Sequence, residues 1–506
     1  MTDNTKRLEQ IFLAFLIISG IYMMYLASNT QMLGEDEATY FSLAKDFASG
    51  NYPVLTNTNT PIVYSQFMSL LYSFFFIIFG ASLATAKAVT ALFGILSLVV
   101  VYLIGKRFSI YYGIIASMIL LSIQTFAHYM MIIYQEVPVA FFSSLILYMF
   151  LKMERKRDAI ALGAILAISF FTKASMLVFG GIIFLYAIVE YLRTRDIKVS
   201  KLSYLSIIVF VLLLTPYVAR NIILYQYPYV EGLNFLFGSP PAKYGVNIWA
   251  DLFSTISPVS LSLSTFVSTF GWLSFALLVF GFSWIVSNRN VKGESKKERN
   301  ELILLFVFIF GFLAAFTFSS VVGSISLEAR YLSIIFPQVS LLGAFFLWKM
   351  KEWNKLFLLP IILIIVFSVF TGITVAQTTS QSQRYPQDYL DALKWVKLNT
   401  PKDATFFTTY RGSLLYYGER NDIWTEVSEF KELMTTDNST YIYDTLKNYN
   451  VSYILIWSQI VAQDYVIPES NIWGVFTYNF VNTVMSDTDH FESVYSTSNE
   501  LILKLK

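Results

Sequence analysis

The sequence predicts an α-helical polytopic membrane protein with a small C-terminal α/β extracytoplasmic domain. Three observations predict it. The 506 residues are 56% apolar and 14% charged, whereas soluble domains are about 45–50% apolar and about 25% charged. Apolar runs of spanning length recur between residues 9 and 376. Hydropathy then falls, and the last stretch has the size of an ordinary small domain. The mean hydropathy of +0.57 agrees.

The apolar runs lie near 9–28, 84–105, 110–133, 138–151, 159–172, 174–192, 203–223, 259–286, 301–319, 330–348 and 356–376. Basic residues orient them, because short cytoplasmic loops are rich in Lys and Arg. Lys6, Arg7, Lys106, Arg107, the Lys152–Arg157 cluster, Arg193, Arg195, Lys198, Lys201, the 289–299 cluster, Lys349, Lys351 and Lys355 are assigned inside. A further run, 64–80, would invert every later basic loop if it crossed. It therefore reads as a re-entrant or interfacial helix on the outer side. The result is eleven spans with the N-terminus inside and the C-terminus outside. Ile11–Ala27 reads as an uncleaved anchor, since no clear small-x-small cleavage site follows it. The expected domains are a membrane domain, 1–377, and an extracytoplasmic domain, 378–506.

Within the tail, Pro386–Leu398 reads as a proline-started helix with Tyr389, Leu390, Leu393 and Val396 on one face. Ala404–Thr409 and Val451–Trp457 read as buried strands, with a helix over 439–449 feeding the second. Phe491–Tyr495 and Leu501–Leu505 alternate around Ser498-Asn499 as a hairpin does. Asn438-Ser439-Thr440 and Asn450-Val451-Ser452 are acceptor sequons.

Several chemistries are excluded. A net charge of +2 gives no footprint for a nucleic-acid partner. The absence of cysteine removes disulfides, thiolate metal sites and thiol catalysis. Two histidines, His128 and His490, cannot build a His-rich metal site.

The topology gathers polar residues at the outer face. Glu35, Asp36 and Glu37 follow the first span, Glu136 and Lys173 stand at turns, and Arg220, Glu328 and Arg330 flank later spans. Carboxylates at a membrane edge are costly without water, a partner or a role. An outer acid set against a hydroxyl acts as a general base, and burial raises its pKa toward neutrality. Gly34–Tyr40 reads equally as a helix start whose acids favour the dipole. Glu136 reads equally as a cap for the helix at Pro138. Lys173, Arg220 and Arg330 suit a phosphate; they suit equally snorkelling to headgroups or, for Arg330, a contact with Glu328. Together they describe acids beside cations. A lipid-linked sugar phosphate needs that combination: a base for the acceptor hydroxyl, and positive charge for the leaving phosphate.

Those residues also carry a family resemblance. Asp36-Glu37-Ala38-Thr39-Tyr40 resembles the first-outer-loop acidic motif of the GT-C glycosyltransferases, most closely the branch of protein O-mannosyltransferases and aminoarabinose transferases (glycosyltransferase family 39, PMT-like). In the same order, Gly80-Ala81-Ser82 through Lys106-Arg107, Phe171-Thr172-Lys173, Arg220-Asn221, and Arg330-Tyr331 through Pro337 resemble later segments of that branch. Ala392–Val396 and Gly418-Glu419-Arg420 resemble its outer domains. One departure stands out: where the family commonly has a Lys-Pro-Pro-Leu-like segment, this chain has Asn59-Thr60-Pro61-Ile62. The Trp-Trp-Asp-Tyr-Gly signature of oligosaccharyltransferases is absent.

The resemblance implies a GT-C fold and an inverting transfer of one sugar from a polyprenyl-phosphate donor to an acceptor hydroxyl on a protein, lipid or glycan. It makes Asp36 the general base and gives Glu37 and Glu136 supporting or orienting roles. Lys173, Arg220 and Arg330 would hold the donor phosphate, and no metal or other cofactor would be required. Membrane lipid is a partner and nucleic acid is not. The alternative expectation is a transporter or flippase of lipid-linked sugars. Transporters usually keep charges near the midplane and show repeated halves; here the charges lie at outer edges and no repeat is visible.

Overall fold

The computed structural model describes residues 3–31, 34–50, 67–194, 197–225, 269–270, 274–281, 283, 303–314, 329–353, 358–381, 385–409, 411–423, 429–458, 461–462 and 476–506. Among the described residues, ten α-helices come first in order: α1 (Asp3–Ser28), α2 (Glu35–Ala48), α3 (Phe67–Phe79), α4 (Leu83–Lys106), α5 (Ile110–Ser122), α6 (Gln124–Tyr129), α7 (Glu136–Lys152), α8 (Lys156–Thr172), α9 (Leu177–Thr194) and α10 (Ile197–Tyr225). Two long helices follow, Phe336–Trp353 and Leu358–Gln381, before the tail. The described residues of 1–30, 64–238 and 258–382 form one compact unit. Those of 31–63 and 383–506 form a second.

The first unit is helical because its sequence is apolar on every face. Lys6–Ser28, Leu83–Lys106, Lys201–Ile223 and Arg330–Met350 are each long and apolar enough to cross a membrane. Many exposed residues on these helices are large and apolar, including Ile17, Ile18 and Ile21 on α1 and Val211 and Leu212 on α10. In water such surface would demand a partner; here it suits lipid, and the chain is an integral membrane protein. Helix contacts rely on small residues, as is usual in bilayers. A Cβ at Gly105 would sit 2.6 Å from the Gly113 Cα, and one at Gly113 would sit 2.6 Å from the Tyr102 carbonyl. These two glycines let α4 and α5 approach closely across the turn that Ser109 caps by accepting from the Tyr112 N–H at 3.1 Å.

Two apolar runs differ from a simple span. The run 64–80 contains α3, only 13 residues long and ended by Gly80 at φ +88. The described part is about 20 Å of helix; residues 64–66 lie outside the described residues. The run 110–133 is not one helix, contrary to the sequence expectation. It breaks at Ile123, whose backbone is extended (φ −69, ψ 106), between α5 and α6. The Thr125 hydroxyl donates to the Thr269 carbonyl at 2.7 Å, which ties the redirected α6 to another segment.

In the second unit a five-stranded sheet carries the tail. Its strands are β1 (Thr405–Phe407), β2 (Asn421–Asp422), β3 (Tyr453–Trp457), β6 (Phe491–Ser496) and β7 (Glu500–Leu505); β4 (Val461–Ala462) and β5 (Phe476–Thr477) pair separately. The order is β2-β1-β3-β7-β6. β1 is parallel to β2 and β3, while β7 runs antiparallel to β3 and β6. All five residues of β3 are buried, because both faces of the sheet are covered. Ile454, Ile456, Leu503 and Leu505 pack with Ile442, Leu446 and Phe480 of the helices Ser439–Asn448 and Tyr478–Ser486. Leu455, Trp457 and Ile502 pack on the other side with Tyr389, Leu393 and Val396 of the helix Gln387–Asn399. The expected helix, strands and hairpin are therefore present, with β1 and β3 shorter than the sequence suggested. The helix Tyr478–Ser486 was not foreseen. Arg420 locks the tail's first helix to the following turn: its Nη2 donates to the Lys397 and Thr400 carbonyls at 2.8 and 2.6 Å, and its Nε to the Thr400 hydroxyl at 2.9 Å.

Glu500 opens β7 only 1% exposed. Neither carboxylate oxygen has a hydrogen-bond partner among the described residues. Burial, reinforced by the Asp388 charge, raises this carboxyl from 4.5 to about 8. It therefore gains a proton on folding, and by linkage this makes stability fall as the pH rises from 4.5 toward 8 and level off above it. Thermal unfolding of the detergent-solubilised chain will show that decline, and Glu500→Gln will flatten it; an unchanged slope in Glu500→Gln would refute the assignment.

Candidate functional site

The acidic motif begins α2. Gly34 is extended (φ −158, ψ 155), and the helix starts at Glu35 with no side-chain cap. Glu35, Asp36 and Glu37 thus occupy the first turn, where free backbone N–H groups and the helix dipole favour carboxylates. Glu37 is fully buried and Asp36 half-buried. The Glu35 side chain lies outside the described residues. The helix-start reading of Gly34–Tyr40 is therefore observed. Asp46, in the last turn of α2, is raised to about 6 by burial, against the lowering effect of Lys45.

Other predicted residues belong to the helical unit. Glu136 is the first residue of α7 and 3% exposed. Lys173 ends α8, its backbone extended (φ −156, ψ 126) before the tight turn Ala174–Met176. The chain therefore leaves α8 at Lys173, and its Nζ donates to Glu136 Oε1 at 2.8 Å. The same ammonium lies 4.2 Å from the Tyr331 ring centre. Arg330 is the second residue of the 3₁₀ segment Ala329–Ile335, with its guanidinium 5.7 Å from the ring centres of both Tyr134 and Tyr331. Three separate stretches, 134–136, 173 and 330–331, thereby converge on one acid, two cations and two tyrosine faces. Cation–π contacts add to what holds both cations against these rings.

Arg220 sits near the end of α10 and donates to the Asn221 side chain at 2.9 Å. One turn earlier, Tyr217 packs on Phe170 and Phe171, two or three residues before Lys173, at 5.8 and 5.7 Å between centroids. The expected Glu328 contact and the Asn59–Ile62 departure both lie outside the described residues. Lys87 went unnoticed in the sequence. It stands near the start of α4, is fully buried, and lies within electrostatic range of His128. His128 Nδ1 in turn pairs with the Thr379 hydroxyl at 3.0 Å. The overlooked signal was a charge inside an apolar run of spanning length. Among the described residues, no three His, Asp or Glu side chains come together in a way that could hold a metal.

Comparison with known proteins bears on the fold. Residues 59–219 match the family model described as dolichyl-phosphate-mannose-protein mannosyltransferase. ArnT from Cupriavidus metallidurans superimposes in its apo state with a TM-score of 0.67 at 13% identity, covering 98% of both chains. Its structure bound to undecaprenyl phosphate gives 0.66 at 13% identity, covering 97% of both. The oligosaccharyltransferase AglB from Archaeoglobus fulgidus, solved with an inhibitory peptide and a dolichol-phosphate, gives 0.60 at 13% identity, over 89% of this chain and 70% of that one. No curated protein sequence matches the chain. The chain has the GT-C fold of membrane glycosyltransferases.

The Glu136–Lys173 pair makes a stability prediction. Removing one partner of a buried pair costs about 3–5 kcal/mol, because the other charge is stranded; replacing both is often neutral. Lys173→Met alone will lower the melting temperature, and adding Glu136→Gln will recover most of the loss. Equal melting of the single variant and the wild type would show that the pair is not holding α7 to α8.

Proposed function

We propose that this chain is an inverting glycosyltransferase of the outer membrane face that moves one sugar from a polyprenyl-phosphate carrier to an acceptor hydroxyl. The observation that carries the reading is the convergence of Lys173 and Arg330 on Tyr331, with Glu136 paired to Lys173, in a chain with the fold of enzymes solved with undecaprenyl phosphate and dolichol-phosphate. The acceptor oxygen attacks the sugar's anomeric carbon as the bond from that carbon to the phosphate oxygen breaks. The hydroxyl proton passes to the Asp36 carboxylate, with Glu37 and Glu136 orienting acceptor and base. Polyprenyl phosphate leaves with the electron pair and one more negative charge than it carried in the donor. Lys173, Arg220 and Arg330 meet that charge, which is the largest electrostatic demand of the step. The protein's own cations meet it, so no metal is required. In this reading the N-terminus is cytoplasmic, the C-terminal domain is extracytoplasmic, and the tail binds or gates the acceptor.

Loss of a positioned general base typically costs about 10²–10⁴ in rate. Membranes carrying Asp36→Asn will therefore transfer radiolabelled sugar from polyprenyl-phosphate donors at least about a hundredfold more slowly than wild type. Wild-type transfer will survive excess EDTA. Equal transfer by both proteins would remove Asp36 from the mechanism. Movement of the lipid-linked sugar across the bilayer with no transfer would favour the flippase alternative.

A further inference from the structure

We propose that the C-terminal domain acts as a positioning element for the acidic motif, with Tyr416 clamping Phe41 and thereby fixing the first turn of α2. The inference rests on the assignment of Asp36 as general base.

Phe41 stands four residues after Glu37, so the two share a face of α2. That face is buried, with Ala38 and Ala44 fully enclosed and Phe41 6% exposed. The partner comes from far along the chain. Leu414–Gly418 forms a π-helical turn, a wound-out geometry frequent at functional positions. The Tyr416 ring meets Phe41 edge-on, with centroids 5.1 Å apart and planes at 86°. Tyr416 is held from behind by Tyr417 at 4.8 Å, Tyr417 by Tyr385 at 6.2 Å, Tyr385 by Tyr389 at 5.5 Å, and Tyr389 stacks on Trp457 at 4.9 Å. The Tyr389 hydroxyl also bonds Ser413, just before the π turn, at 2.9 Å. A continuous row of rings therefore links α2 to β3, the most buried strand of the sheet.

Charge repeats the connection at the other end of α2. Lys45 in its last turn acts electrostatically on Glu419. Glu419 follows the π turn with φ +49 and accepts from Lys397 at 2.8 Å. An aromatic contact and an electrostatic one thus hold the same helix from the same turn. Burial raises the Tyr416 hydroxyl to about 12, so the side chain stays neutral and serves as a ring. A rigid first turn matters because catalytic rates fall steeply when a base is displaced by about 1 Å.

The test uses the full-length protein as wild type, Tyr416→Ala and Tyr416→Phe. Amide hydrogen exchange over 35–48 should quicken in Tyr416→Ala, with β3 and β7 unchanged, and return to the wild-type rate in Tyr416→Phe. Sugar transfer by Tyr416→Ala should lose about tenfold or more in kcat, with KM for the donor within about twofold, and Tyr416→Phe should restore it. Wild-type exchange in α2 of Tyr416→Ala would overturn the clamp. Loosened α2 with unchanged kcat would overturn its catalytic meaning. If the wild type transfers no sugar, the proposed reaction fails, while the exchange arm still decides whether Tyr416 holds α2.

Discussion

The buried pair between Glu136 and Lys173 constrains the helical unit more than any other contact described for it. An acid at 3% exposure and an ammonium beside it can exist at the edge of an apolar bundle only together. Their position follows from chain geometry: α7 begins at the acid, and α8 gives up its helical backbone at the lysine. Once that junction is fixed, Tyr331 lies against the lysine and Arg330 against the rings of Tyr331 and Tyr134. The pair thus does two jobs. It joins consecutive helices, and it keeps a cation ordered against the Tyr331 ring.

The second unit answers a different problem. Three adjacent carboxylates repel one another, and Glu37 is wholly buried. A helix N-terminus relieves part of that cost, but a 14-residue helix is marginal without tertiary support. Support comes from the domain at the far end of the sequence, through Phe41 and Tyr416. The same domain keeps its own sheet rigid by covering both faces and by the carbonyl clamp of Arg420.

Much of this was legible in the sequence, for identifiable reasons. Hydropathy marked the membrane helices, and period-two alternation marked the β6–β7 hairpin. Glu136, Lys173 and Arg330 stood out because charge in apolar surroundings is expensive. Their pairing could not be read, since it depends on where α8 ends and on a 3₁₀ segment that begins more than 150 residues later. The break at Ile123 left no glycine or proline to flag it. Lys87 was hidden by a long apolar run that diluted its charge. The link between Phe41 and Tyr416 was invisible because aromatic residues are common throughout this chain, and only the fold selects which rings meet.

Lys173 and its neighbours are proposed as a cation site for lipid phosphate. Its most direct test is the binding of undecaprenyl phosphate, without any sugar, to the purified protein by native mass spectrometry. The wild type would be compared with the Glu136→Gln/Lys173→Met double variant, which preserves the helix junction without its charges. The account predicts that the wild type retains the lipid and that the folded double variant loses most of it. Equal retention by both would contradict the claim.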